Sequence, residues 1–222
     1  MILSAKVIFK LYLLIIFIKR KTNINYGLIS MKKDNFLEHS IFSTTISDKK
    51  IDIDVILDEF HNNTDNHTHT HFINNRWENI YINPQKIPSV LPLLSKIISE
   101  AIKEYHHRLK PHQTLVIPHE LLGYEKNEFW FNSALPGEST GVHNHNGKAI
   151  ISGVYYLQVP EKSGNIIFIH ENKEKLEITA KPGKLIFFPA ELDHYVQENE
   201  GTEKRISLSF NCYLFPLTIP KP

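Results

Sequence analysis

Residues 141–157 read GVHNHNGKAIISGVYYL: two histidines one residue apart, a Gly-Lys step, then a long apolar stretch ending in paired tyrosines. The apolar stretch is rich in β-branched and aromatic residues and is strand-forming. Side chains along a strand alternate between its faces, so His143 and His145 share one face while Asn144 points away. Similar short runs continue from about Leu115 to the C-terminus: NEFWFNSA, AIISGVYYLQV, GNIIFI, KLEITA, KLIFF, DHYVQ and RISLSFNCYLF. Turn formers separate them at Pro136-Gly137, Ser163-Gly164 and Pro182-Gly183. About eight short strands spaced in this way predict a sandwich or jelly roll instead of alternating βαβ units.

The sequence upstream has a different texture. IDIDVILDEF at 51–60 sets Ile53, Ile56, Leu57 and Phe60 at helical spacing. PSVLPLLSKIISEAIKEYHHRLK at 88–110 predicts a longer amphipathic helix with Pro88-Ser89 at its start and Pro111-His112 at its end. The polar HNNTDNHTHTH between them reads as a solvated loop. His67, His69 and His71 alternate there, but without an apolar frame. The expected class is therefore α+β: packing helices over about 50–112, then a jelly-roll core over about 115–215.

Whole-chain properties narrow the function. The 222 residues suffice for one substantial domain, and a net charge of +1 provides no field for capturing nucleic acid. A single cysteine, Cys212, excludes an intrachain disulfide and fits a reducing, cytoplasmic compartment. Residues 1–30 form an apolar extension. Its run from Leu11 to Ile18 is too short to span a bilayer, and counting from Ile2 includes Lys6 and Lys10. Either residues 1–21 are a membrane anchor, or Met31 is the true start of a single domain over 31–222.

Two imidazoles on one strand face, turned into a barrel, are half of a metal site. His194, in KPGKLIFFPAELDHYVQ, follows a turn, an apolar strand and a proline, and is the candidate third ligand. Imidazole suits iron, zinc, copper and nickel alike. Beyond it, Arg205, Ser207, Ser209 and Asn211 share one face of a strand whose other face holds Ile206, Leu208 and Phe210. A guanidinium inside an apolar barrel needs an anion, and its planar fork suits a carboxylate.

His143-x-His145, His194 and Arg205-x-Ser207 together resemble the 2-oxoglutarate- and Fe(II)-dependent oxygenases, whose pattern is H-x-D/E, a distal His and an Arg about ten residues further on. SGVYYLQVP, SGNIIF, PGKLIFFPAELDHYV and RISLSFN resemble more closely the uncharacterised phage and bacterial 2OG-Fe(II) oxygenases, which are prolyl-hydroxylase-like. The likeness is good over about 124–215, and HSIFSTTI at 39–46 resembles that group's opening strand. The resemblance implies a double-stranded β-helix, the cupin-like barrel. It implies Fe(II) on His143, His145 and His194, and 2-oxoglutarate as cosubstrate, held by Arg205 with Ser207 and Tyr156. It further implies O2 and a substrate of unstated identity as partners, with hydroxylation, succinate and CO2 as the outcome. No catalytic group is implied beyond these ligands. His145 stands where the family has a carboxylate; Glu138 and Asp193 are the other carboxylates that could complete the site.

Other readings stay open at this point. Gly137 precedes His143 by six residues, Gly183 precedes Pro189 by six, and His194 follows that proline by five. This is an incomplete cupin pattern, compatible with a three-histidine dioxygenase or a non-catalytic binder. Arg205 could form a structural ion pair, and Tyr156 could be plain core. Trp130 and Asn132 precede the histidine strand and could line a pocket. Asn211 shares the Arg205 face and is a weaker candidate.

Overall fold

The computed structural model describes residues 32–36, 39–73, 76–110, 113–147 and 149–215. The chain divides into two units, Met1–Ser30 and Met31–Pro222; the apolar extension and its possible anchor lie outside the described residues. Among the described residues no helix is long and apolar enough to cross a membrane.

Elements run in chain order β1 (Lys32–Phe36), β2 (His39–Thr45), α1 (Ile53–Asn62), β3 (Thr68–Ile73), β4 (Arg76–Tyr81) and α2 (Val90–Tyr105). The barrel strands follow: β5 (Thr114–Val116), β6 (Phe129–Ala134), β7 (Thr140–His143), β8 (Ile151–Gln158) and β9 (Ile166–Ile169). The last are β10 (Lys175–Ile178), β11 (Lys184–Pro189), β12 (Asp193–Val196) and β13 (Arg205–Phe215). One antiparallel sheet is ordered β1-β2-β11-β8-β13-β6-β4-β3, with β5 alongside β13; the second is β10-β9-β12-β7. Two facing antiparallel sheets with helices on one side are the α+β double-stranded β-helix expected from the sequence.

The paired tyrosines follow from the position of β8 in the larger sheet, between β11 and β13. Both faces of that sheet are covered. Tyr155 and Leu157 join a core shared with α1 and α2, whereas Val154 and Tyr156 join a second core between the two sheets. β11 divides in the same way, Leu185 and Phe187 toward the helices, Ile186 and Phe188 toward the second sheet. A strand covered twice has no polar face, hence the unbroken apolar run. Gly153 marks the tightest point. A Cβ there would overlap the Phe210 ring and lie 2.5 Å from the Ile186 carbonyl oxygen. Gly153→Ala is expected to cost about 1–3 kcal/mol through overpacking, read as a drop in Tm of several degrees; a variant melting with wild type would contradict this packing.

The helices are amphipathic as their spacing predicts. α1 buries Ile56 and Phe60 and is capped by Asp52, whose side chain accepts from the N–H groups of Asp54 and Val55 at 3.1 and 3.2 Å. α2 buries Val90, Leu93, Leu94, Ile97, Ala101 and Tyr105. Ser89 does not cap it; its N–H and hydroxyl donate to Glu59 of α1, tying the two helices together. The helix stops at Tyr105, short of the expected 110, because its last turn tightens to a 3₁₀ turn over His106–Arg108.

The HTHTH stretch departs from expectation. It is not a loop but β3, paired antiparallel with β4, a strand the sequence reading did not anticipate. Thr68 and Thr70 supply strand-forming residues, and the polarity reflects an edge position where water satisfies the outer face. The ladder is interrupted at His71, which has φ of 60° and lies between the pairs Thr70–Asn79 and Phe72–Trp77.

Candidate metal centre

His143 ends β7 and is the cross-strand partner of His194 in β12, so the ladder itself sets these two imidazoles side by side. Their ring centroids are 4.3 Å apart. His145 lies two residues past the end of β7 and does not share a strand with His143, as the sequence reading supposed. Its N–H instead donates to the Ala190 carbonyl at 2.8 Å, which turns the chain so that the ring reaches the other two at 5.1 and 5.3 Å. The ligand nitrogens of the three lie within 4.8 Å of one another.

Nδ1 of His143 is 2.9 Å from the Gly141 carbonyl, and Nδ1 of His194 is 3.0 Å from that of Leu192. A carbonyl can only accept, so Nδ1 carries the proton in both rings and Nε2 presents a lone pair. Such a partner is what orients a metal-binding imidazole. Burial pulls the His145 imidazole down to about 4, with His143 and then His71 adding to the effect. Burial, with neighbouring His143, holds His194 well below the ordinary value. Imidazole donors held neutral in this way at His145 and His194 suit a divalent metal. Among the described residues no carboxylate joins the group. Asp193 is turned outward and accepts from Asn144 Nδ2 at 2.7 Å, and Glu138 is engaged by Arg76 Nη1 at 3.3 Å.

The histidines open on a cavity of about 360 Å³, which the polar face of β13 also lines. Arg205, Ser207, Ser209 and Asn211 all reach it, while Ile206, Leu208 and Phe210 enter the helix-side core. Arg205 is 2% exposed. Its Nη1 donates to the carbonyls of Ser163 and Gly164. Among the described residues no carboxylate lies within 4.0 Å of it, whereas buried Arg76 has two. Tyr156 pairs with Ser207 across the ladder and also lines the cavity. Burial pushes its phenol up to about 12 against the opposing effect of Arg205, so it is a neutral hydroxyl able to donate. Trp130 and Asn132 line the same space, and Trp130 is 5.6 Å from the His145 ring.

Several cavity residues escaped the sequence reading. Glu78, Asn79 and Tyr81 of β4, His71 of β3 and Glu128 beside β6 all line it. All but Glu128 come from a hairpin hidden by its polar sequence. Arg76 holds that hairpin against the barrel, donating to the Ser133 carbonyl, Asn132 Oδ1 and Thr140 Oγ1 at 3.2, 3.2 and 3.1 Å. The alternation of threonine and histidine in THTHFI, followed by RWENIY, was the signal that could have exposed it.

Residues 128–178 and 169–211 match a family model described as "Putative 2OG-Fe(II) oxygenase". No curated protein matches the chain. Among solved structures, a prolyl-4-hydroxylase from Pseudomonas putida is 14% identical, with 79% of this chain and 93% of that one covered and a TM-score of 0.54. The non-heme alpha ketoglutarate dependent epimerase SnoN from nogalamycin biosynthesis is 12% identical, with 82% and 87% covered and a TM-score of 0.58. AviO1 from Streptomyces viridochromogenes is 8% identical, with 82% and 92% covered and a TM-score of 0.54. At such identities the likeness is one of fold. Over residues 128–211 the chain is similar in sequence to the 2OG-Fe(II) oxygenase family, and its double-stranded β-helix is the fold of these solved structures.

Proposed function

We propose that the chain is an Fe(II)- and 2-oxoglutarate-dependent dioxygenase that hydroxylates its substrate, with succinate and CO2 as coproducts. The observation that carries this reading is Arg205. A buried guanidinium is costly without an anion, and this one has no carboxylate partner among the described residues. It lines the same cavity as the three converging imidazoles.

His143 and His194 would hold the metal through Nε2, with the His145 imidazole as the third ligand. Bound Fe(II) would supply the redox chemistry that couples O2 reduction to oxidative decarboxylation of the cosubstrate. Arg205 engages the distal carboxylate of 2-oxoglutarate, aided by the hydroxyls of Ser207 and Tyr156, which fixes the orientation of the keto acid end toward the histidines. Phe188, with its ring 4.7 Å from His194, walls that side against water. Three neutral ligands leave the metal's full positive charge to be balanced by a dianionic cosubstrate, so an all-histidine site is consistent with this chemistry. We read residues 31–222 as a single domain, and a reducing cytoplasm suits both a ferrous site and the free, buried Cys212.

Anaerobic titration with Fe(II) and then 2-oxoglutarate tests this directly. The expected result is the weak visible charge-transfer band of the chelate, followed on admission of O2 by iron-dependent succinate formation. Metal binding without that band, together with oxidation of a thiol substrate in the absence of 2-oxoglutarate, would favour the cupin-type three-histidine dioxygenase instead.

A further inference from the structure

We propose that His71 is a substrate-binding residue whose Nε2–H donates to a neutral carbonyl oxygen of the substrate, as in an amide. This rests on the proposed function in giving the space between Arg205 and the histidines to the cosubstrate. The direction of the side chain carries the inference. Regular alternation along β3 would turn His71 away from the face of the cross-strand partners Thr70 and Asn79. Instead its Nδ1 lies 2.8 Å from Thr70 Oγ1 and 3.1 Å from Asn79 Nδ2, and the residue lines the cavity. A φ of 60° at His71 accompanies this turn, a conformation that non-glycine residues adopt rarely. Backbone strain that re-aims one side chain into a cavity is a feature of binding sites. His71 is also exposed, which puts it at the cavity's mouth.

The partners of the ring fix its tautomer. Asn79 Nδ2 can only donate, so Nδ1 of His71 accepts and the ring proton sits on Nε2. Among the described residues Nε2 has no hydrogen-bond partner. The donor lies within electrostatic reach of the metal centre, since His71 helps to lower the His145 imidazole. It stands three strands from Arg205 in the order β13-β6-β4-β3, about 14 Å at the usual strand spacing. A cosubstrate anchored on Arg205 and directed at the histidines therefore leaves this donor free. Asn79 and Tyr81 of β4 and Trp130 and Asn132 of β6, the strands between, line the cavity with uncharged groups. That lining suits a neutral acceptor.

Titration of the protein with N,N-diethylacetamide, an acceptor with no N–H of its own, tests the donor in the presence of zinc(II) and 2-oxoglutarate. NMR of protein labelled with carbon-13 and nitrogen-15 at histidine reads the His71 ring directly. The proton is expected on Nε2 before addition, and the Nε2–H signal should shift saturably as the amide is added. His71→Phe keeps a planar ring without the donor and should weaken amide binding about two- to tenfold, the range of one hydrogen bond. Binding of 2-oxoglutarate should be unchanged. His71→Gly should bind the amide as weakly as His71→Phe and melt no lower than wild type, because glycine accepts the positive φ. Equal amide affinity in wild type and both variants, or a ring proton on Nδ1, would overturn the inference. So would a clear drop in the Tm of His71→Gly, which would make the imidazole a brace for the hairpin. Failure of the wild-type protein to bind 2-oxoglutarate, with the amide difference intact, would instead remove the dioxygenase reading and leave the His71 donor site standing.

Discussion

Arg205→Met is expected to weaken binding of 2-oxoglutarate severely while leaving the ligand-free protein about as stable as wild type. The two halves have one cause. Without an anion, the buried guanidinium gives up its water for two backbone carbonyls, Ser163 and Gly164, and for no carboxylate among the described residues. Replacing an uncompensated buried charge by an apolar side chain of similar volume is often neutral or stabilising. Once the dianion is present, the same group becomes half of a desolvated charge pair. Its removal then costs about 2–5 kcal/mol, a loss of roughly 30-fold to several thousandfold in affinity. Arg205→Lys keeps the charge but loses the planar fork and should fall between the two. Calorimetry with 2-oxoglutarate and thermal melting without it read both halves on one preparation. A variant that melts far below wild type yet binds 2-oxoglutarate normally would return Arg205 to the structural role that the sequence also allowed.

The barrel was legible because its chemistry is local to each strand. The two-residue alternation of RISLSFN separates a cavity face from a core face without reference to any other strand, and the structure places Ser207 and Leu208 accordingly. The turns at Ser163-Gly164 and Pro182-Gly183 likewise declare themselves by composition: Gly164 and Gly183 both take positive φ. What could not be read was any contact set by the third dimension. His145 reaches the metal cluster through a backbone bond to Ala190, 45 residues away, and not through strand phasing. The β3 part of the β3–β4 hairpin reads as a loop in sequence because an edge strand facing water needs no apolar residues. Its attachment depends on Arg76 finding four partners on β6, on β7 and at Glu138. Glu138 illustrates the same limit. It sits near the histidine motif in sequence and invited a ligand role, but its carboxylate serves Arg76 and the N–H of Leu135.

His194→Ala is expected to weaken metal binding by more than about 100-fold, beyond what loss of an outer-shell partner costs. His194 is 4% exposed, its Nδ1–H is committed to Leu192, and its ring packs beside Phe188, so no neighbouring side chain can rotate into its place. His145→Asp should behave differently. Its position is half-buried beyond the strand end, and a carboxylate there recreates the H-x-D form of the family, so metal binding persists. The centre then carries one positive charge fewer, and its attraction for the dianionic cosubstrate declines. Cobalt(II) titration followed by absorbance measures the first effect, and calorimetry of the loaded variants measures the second. His67 and His69, which lie at the start of β3 and outside the cavity, require a control, because clustered surface histidines can also hold a metal weakly. Residual cobalt binding in His194→Ala should therefore vanish when those two are replaced by asparagine, while the same replacement in the wild-type background leaves the tight site untouched. If instead the β3 replacement removed the tight site and His194→Ala did not, the metal would belong to the hairpin, and the convergence of three imidazoles in the barrel would be a feature of packing.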